Sequence, residues 1–174
     1  NKAKNLAALG QQLQVVESAD VVVLPEMFTS GFTMCPENVA ESMQGETITW
    51  LKVLAKARNF AITGSLVIAE NGNFYNRLVF VFPSGEIQFY DKRHLFTLAG
   101  EDKVYTIGNQ KIVVDYLGWK ICPLICYDLR FPAFSRNAED YDLLIYVASW
   151  PLQFRHAMGA IAHSKSERVT GETT

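Results

Sequence analysis

The chain has 174 residues, 49% of them hydrophobic and 20% charged, which is enough for one domain with its own core over residues 1–174. Its net charge of −2, without a block of basic residues, argues against nucleic acid or an anionic membrane as a partner. No apolar run approaches the length needed to cross a bilayer, and no charged-then-apolar leader opens the sequence.

Leu6, Leu9, Leu13 and Val16 recur at helical spacing and predict a helix over residues 3–18. Residues 20–25 follow as a strand without polar alternation, expected to be buried on both faces. A loop from Met27 to Pro36 leads to a second helix over Thr47–Arg58, with Ile48, Leu51, Leu54 and Ala55 facing inward. Phe60–Ala69, Phe74–Phe82 and Glu86–Asp91 then predict a three-stranded antiparallel meander, turned at Asn71-Gly72 and at Pro83-Ser84-Gly85. A long loop runs to about Asn109. Lys111–Asp115 and Trp119–Ile125 form a hairpin around Leu117-Gly118, followed by a short helix near Pro132–Ala138 and a strand over Leu143–Ala148. Residues 153–165 have helical character. Helix, buried strand, helix and meanders together describe a layered α/β domain.

Three apolar strands end in residues able to do chemistry. Val21–Leu24 runs into Pro25-Glu26, Gln88–Tyr90 into Asp91-Lys92, and Trp119–Ile125 into Cys126. Strand ends are where α/β folds place reactive groups, and three strands of one sheet would bring these ends to one edge. A thiol attacks well only as its thiolate, so Cys126 needs a base or a cation beside it. Glu26 at a semi-buried strand end suits proton transfer, and Lys92 suits stabilisation of an oxyanion. His94 offers a rival Cys–His pair, since imidazole is also a base. The Tyr127 N–H, next after the thiol in a turn, is placed to donate to an oxyanion. Arg130 could bind a substrate carboxylate or pair with Glu26, Asp128 or another carboxylate, and Trp150 could wall a pocket or fill the core.

Cys35, Cys122 and Cys126 are an odd set. Cys122 and Cys126 stand four apart on one strand, too far to bridge, so a disulfide framework is not expected and a reducing, cytoplasmic setting is. Cys122 reads as core packing. No C-x-x-C pair supports thiol redox chemistry. His156 and His163 lie two helical turns apart, too far to share one ion, so no metal is expected.

The segments LPEMFTSGF, YDKRHLF and CYDLRFP resemble the Glu, Lys and Cys motifs of the nitrilase, or carbon–nitrogen hydrolase, superfamily, and the surrounding words resemble its omega-amidase branch. The resemblance runs from about Asn5 to about Trp150, with the motifs in the family's order. It implies a four-layer αββα sandwich that pairs into a homodimer. It further implies Glu26 as general base, Lys92 as oxyanion stabiliser, Cys126 as nucleophile, and Glu101 as a second, substrate-positioning glutamate. The implied substrates are small 2-oxo acids with a terminal amide, such as 2-oxoglutaramate and 2-oxosuccinamate, hydrolysed by water through a Cys thioester without a cofactor. N-carbamoyl amides and nitriles are alternative substrate classes within the superfamily. Set against the family pattern, the chain reads as a fragment lacking a first strand and much of a C-terminal part, so a non-catalytic piece is the alternative from a different class. Past about Phe154, Ala162–Arg168 keeps little of the family's Ala-Arg-Ala-x-Glu-Asn segment.

Overall fold

A computed structural model describes residues 2–149. Two helices, α1 (Lys2–Gln14) and α2 (Glu46–Arg58), lie on a four-stranded sheet built from β1 (Val21–Val23), β2 (Ala61–Glu70), β3 (Asn73–Val81) and β4 (Ile87–Asp91). A second sheet holds β5 (Val114–Tyr116), β6 (Trp119–Ile125) and β7 (Leu143–Val147). Both sheets are mixed: β1 is parallel to β2 and β6 to β7, whereas the other neighbours are antiparallel. Among the described residues this gives three layers, helices on one sheet on the other. The segment expected to add a further helix, residues 153–165, lies outside them.

Strand alternation explains the layering. Ile62, Leu66, Ile68, Val79 and Val81 face α1 and α2, where they pack with Leu13, Ile48, Leu51 and Ala55. The opposite parity, Leu78, Phe80, Ala61 and Tyr90, faces the second sheet and packs on Val114, Ile121, Cys122 and Leu124. With a core on each side, β2 is buried along nearly its whole length.

The two hairpin signals form as expected. Asn71 (φ 52°) and Gly72 (φ 78°) both take positive φ between β2 and β3, as do Leu117 (φ 50°) and Gly118 (φ 80°) between β5 and β6.

Three expectations are corrected. The strand ends bearing Glu26, Lys92 and Cys126 do not share one sheet: β1 and β4 are the two edges of the first, and β6 is the middle strand of the second. Apolar periodicity reports burial, but not which sheet a strand joins. Nor is β1 buried on both faces. Among the described residues it pairs with β2 alone, and Val23 is 48% exposed. The helix near Pro132 spans only Pro132–Ser135 (α3). Asn137 ends it, its side chain donating to the Tyr141 carbonyl and accepting from the Tyr141 N–H.

In the middle of β3, Arg77 donates to both oxygens of Asp91 (2.7 and 2.9 Å) and to Glu70 (3.3 and 3.1 Å). Its guanidinium lies 4.0 Å from the Phe89 ring centroid. Burial works against the charge, but the two carboxylates outweigh it and hold the guanidinium even more firmly protonated. This pairing fixes the β3–β4 register, Arg77 opposite Asp91, from which Lys92 emerges. Arg77→Leu leaves Asp91 without its partner, and we expect a loss of about 3 kcal/mol in urea unfolding. An unchanged midpoint would show that the rings alone hold this corner.

Candidate active site

β3 and β4 carry Asn76, Tyr90 and Lys92 at one parity, so all three point towards the second sheet. The Lys92 N–H donates to the Asn76 carbonyl (3.0 Å), extending the ladder one step beyond β4. The chain then loops out and returns, where the Gly108 N–H donates to the Lys92 carbonyl (2.9 Å). A Cβ on Gly108 would lie 1.9 Å from the Asp91 carbonyl oxygen, so only glycine lets this strap close over Lys92.

Glu26 arrives from β1. The turn after it has Met27 at φ 45°, with the Met27 N–H on the Ser65 hydroxyl (3.0 Å) and the Phe28 N–H on the Ser65 carbonyl (3.1 Å). Gly64 makes room beneath, since a Cβ there would meet the Leu24 Cβ at 2.7 Å. Lys92 Nζ, with no exposed surface, donates to Glu26 Oε1 (2.8 Å) and to Glu101 Oε1 and Oε2 (3.2 and 3.0 Å). Glu26 and Glu101 are as deeply buried as the lysine. Burial alone would lower the Lys92 ammonium, but the charges of Glu26 and Glu101 prevail and hold it above its ordinary range. Glu101 sits in a short 3-10 turn, and the Phe96 N–H closes on its Oε2 at 2.6 Å.

Cys126 opens a 3-10 turn, Cys126–Arg130, directly after β6, and has φ 42°. A non-glycine residue in that region costs about 1–3 kcal/mol and persists only where its surroundings enforce it. Asp128 supplies the enforcement. Its Oδ2 accepts from the Ile125 N–H (3.0 Å) and the Tyr90 hydroxyl (2.7 Å); its Oδ1 accepts from the His94 N–H (3.0 Å) and contacts His94 Nδ1 (2.8 Å). The Tyr90 hydroxyl in turn accepts from the Arg93 N–H (2.8 Å). One buried carboxylate thus ties the thiol's turn to the segment carrying Lys92. Burial, then the Glu26 charge, push the Cys126 thiol far up, with Lys92 opposing, so the resting sulfur is protonated.

The structure therefore brings Glu26, Lys92, Glu101 and Cys126 together from two sheets. His94 stacks on Phe131 (3.7 Å between centroids) and contacts Asp128, so its side chain is engaged on the turn as a structural group. The Tyr127 ring packs against Phe96 and Phe131, and its N–H is the second of the 3-10 turn, where no preceding carbonyl of that turn can take it. Arg130 is exposed and has no ion pair among the described residues, so neither Glu26 nor Asp128 holds it. Trp150, His156 and His163 lie outside the described residues. Cys122 is a fully buried core thiol whose pKa burial raises to about 11. Among the described residues, no helix is long and apolar enough to cross a membrane and no side-chain group could hold a metal.

Sequence reasoning missed Asn76 and underrated Asp128. Asn76 Nδ2 donates to Glu26 Oε1 (2.9 Å) and to Glu101 Oε1 (3.1 Å). An asparagine five residues after Asn71-Gly72 carries no local sign of a contact 50 residues away.

Two outcomes follow. Asp128→Ala removes the clasp on the Cys126 turn and leaves buried donors unpaired, and we expect about 3 kcal/mol less stability in urea together with slower alkylation of Cys126; unaltered alkylation would show that the turn holds itself. Cys122 binds its proton more tightly folded than unfolded, so its contribution is complete below pH 9.0 and is lost as pH rises towards about 11. Thermal unfolding should therefore show a melting temperature falling across that window, and less steeply in Cys122→Ala; equal slopes would remove Cys122 as the source.

The comparisons with known proteins concern the family and the fold. The carbon–nitrogen hydrolase family model matches residues 2–169. Omega-amidase YafV of Escherichia coli strain K12 is 47% identical over 148 residues, covering 84% of this chain and 57% of that protein. The 2-oxoglutaramate amidase of Bacillus subtilis strain 168 is 34% identical over 139 residues, covering 77% of this chain and 54% of that one. The chain thus spans little more than half the length of these relatives. A CN-hydrolase superfamily protein of Xanthomonas campestris, whose crystal structure has an arsenic adduct in the active site, superposes with a TM-score of 0.85 at 39% identity, over 90% of this chain and 63% of that one. Saccharomyces cerevisiae Nit3, of the nitrilase superfamily, shares the fold at a TM-score of 0.74 and 21% identity, over 89% of this chain and 62% of that one. With a family model spanning nearly its whole length, this chain belongs to the carbon–nitrogen hydrolase family.

Proposed function

We propose that the chain carries the catalytic centre of a cysteine amidase that hydrolyses the terminal amide of small 2-oxo acid amides, such as 2-oxoglutaramate or 2-oxosuccinamate, to the 2-oxo dicarboxylate and ammonia. The observation that carries this reading is the asymmetry of Glu26. Its Oε1 is taken by Lys92 and Asn76, whereas among the described residues its Oε2 accepts just one long hydrogen bond, from the Ser149 N–H (3.3 Å). Oε2 thus keeps lone pairs for a proton, beside a thiol that is protonated at rest.

In the proposed reaction Cys126 Sγ passes its proton to Glu26 Oε2 as sulfur bonds to the amide carbon. The carbonyl oxygen becomes an oxyanion, held by the Tyr127 N–H and Lys92. Of the ammonium's three N–H donors, the one on Glu101 Oε1, whose contact is the longest at 3.2 Å, turns to that oxygen. Collapse of the intermediate breaks the C–N bond. Glu26 returns the proton to the departing nitrogen, so ammonia leaves and a thioester remains. Water then adds, Glu26 taking its proton, and the C–S bond breaks to release the acid and restore the thiol. Glu101 fixes Lys92 and thereby the oxyanion's place.

The substrate class rests on the names of the two amidases above and on one local feature: Arg130, exposed and without an ion pair among the described residues, stands four residues after Cys126, where it can meet the substrate's carboxylate. The free state of Cys35, Cys122 and Cys126 supports a reducing, cytoplasmic setting. A homodimer is proposed on the family resemblance.

Ammonia release from 2-oxoglutaramate should vanish in Cys126→Ala and fall at least about 10³-fold in Glu26→Gln, which removes the base. Undiminished release from Cys126→Ala would overturn the mechanism. Faster turnover of N-carbamoyl or nitrile substrates in parallel assays would move the substrate class while leaving the nucleophile in place.

A further inference from the structure

Asn76 is a buried residue whose side chain bridges two carboxylates and whose main-chain carbonyl takes the backbone N–H of Lys92. Asn76 has no exposed surface. Its Nδ2 bridges Glu26 Oε1 and Glu101 Oε1, and its carbonyl receives the Lys92 N–H. Its Oδ1 is buried without a hydrogen-bond partner. Turning the amide over would not help, because it would set an acceptor against two carboxylates. The amide orientation is therefore fixed by its neighbours, and the orphaned oxygen costs about 1–3 kcal/mol. A cost of that size retained at the centre of a charged cluster marks a group kept for what its other end does.

We infer that Asn76 is a positioning residue that holds Glu26 by Oε1 and so presents Oε2 to Cys126, which makes Glu26 competent as the base. A single donor shared by both carboxylates fixes their separation and the way Glu26 is turned. Lys92 cannot do this alone, since its ammonium is already divided between Glu26 and Glu101. Asn76 also occupies Oε1 and so leaves Oε2 as the only base. The titratable groups around the cluster are Glu26 after β1, Lys92 after β4, Glu101 and Tyr105 in the loop, and Cys126 after β6. The Tyr105 hydroxyl is engaged by the Thr33 carbonyl (2.9 Å) and donates to neither glutamate. Behind the nucleophile's turn, Asp128 and His94 pair with each other.

This inference rests on Glu26 acting as base for Cys126, so its test uses a reaction that needs no amide substrate. Iodoacetamide alkylation of Cys126 is followed by peptide mass spectrometry across pH 5–9 in the full chain, with the exposed Cys35 as internal reference. In Asn76→Ala with unchanged circular dichroism, Cys126 should alkylate about tenfold more slowly at pH 7, keeping only the free-thiolate route that rises at the alkaline end of the range, and Cys35 should be unaffected. If Asn76→Ala does not fold, Asn76→Ser, which keeps one hydroxyl donor, is read in the same way against the same expectation with a smaller loss of rate. A folded variant with the native rate and pH profile overturns the inference and leaves Asn76 as packing. Glu26→Gln separates the two levels: a native Cys126 rate there would remove Glu26 as the base, whereas slowing in Glu26→Gln without slowing in either Asn76 variant would remove only Asn76.

Discussion

A dry ammonium between two dry carboxylates is the constraint from which the rest of this structure can be understood. Neither Lys92 nor Glu26 nor Glu101 has appreciable contact with solvent, and removing such charges from water costs several kcal/mol per ion unless each finds partners in good geometry. The fold supplies those partners from separate elements: the turn after β1, the ladder step after β4, the 3-10 turn of the loop and the middle of β3. Each partner must be held to within a fraction of an ångström. Gly64 under the Glu26 turn, Gly108 against the Asp91 carbonyl and the Ser65 clasp on Met27 all serve that positional requirement.

The second sheet answers a different need. It brings a thiol to a buried cluster of two carboxyl groups and an ammonium, where burial first and then the Glu26 charge push the thiol's pKa up. In the proposed reaction, attack therefore depends on proton transfer at that moment and not on a standing thiolate. Asp128 makes the two sheets one device, because the same carboxylate holds the Ile125 N–H on one side and Tyr90 and His94 on the other.

Much of this was legible in the sequence. Apolar runs ending in Glu26, Lys92 and Cys126 marked the strand ends, and the Asn-Gly and Leu-Gly turns marked hairpins, because burial and turn conformation are local demands on residue type. The assignment of those strands to sheets was not legible. Alternation is the same whether β6 extends the first sheet or covers it, and the choice is made by packing between Leu78, Tyr90, Cys122 and Leu124. The edge position of β1 was hidden for a similar reason, since Val21–Val23 suits a buried or an edge strand equally. Asn76 was invisible because asparagine in a strand near a turn carries no signal of partners at Glu26 and Glu101. Asp128 stood within a recognised motif, but its reach to Tyr90, 38 residues earlier, belongs to the tertiary fold.

The division of the chain between its two sheets also has a meaning in time. Every described strand of the first sheet precedes residue 92, and every described strand of the second follows residue 113. A ribosome therefore makes Glu26, Asn76, Lys92 and Glu101 before it makes Cys126, which follows Glu101 by 25 residues, or about 1–5 s of synthesis. The thiol is the last of these groups to leave the ribosome, and its charged neighbours are already in the chain when it emerges.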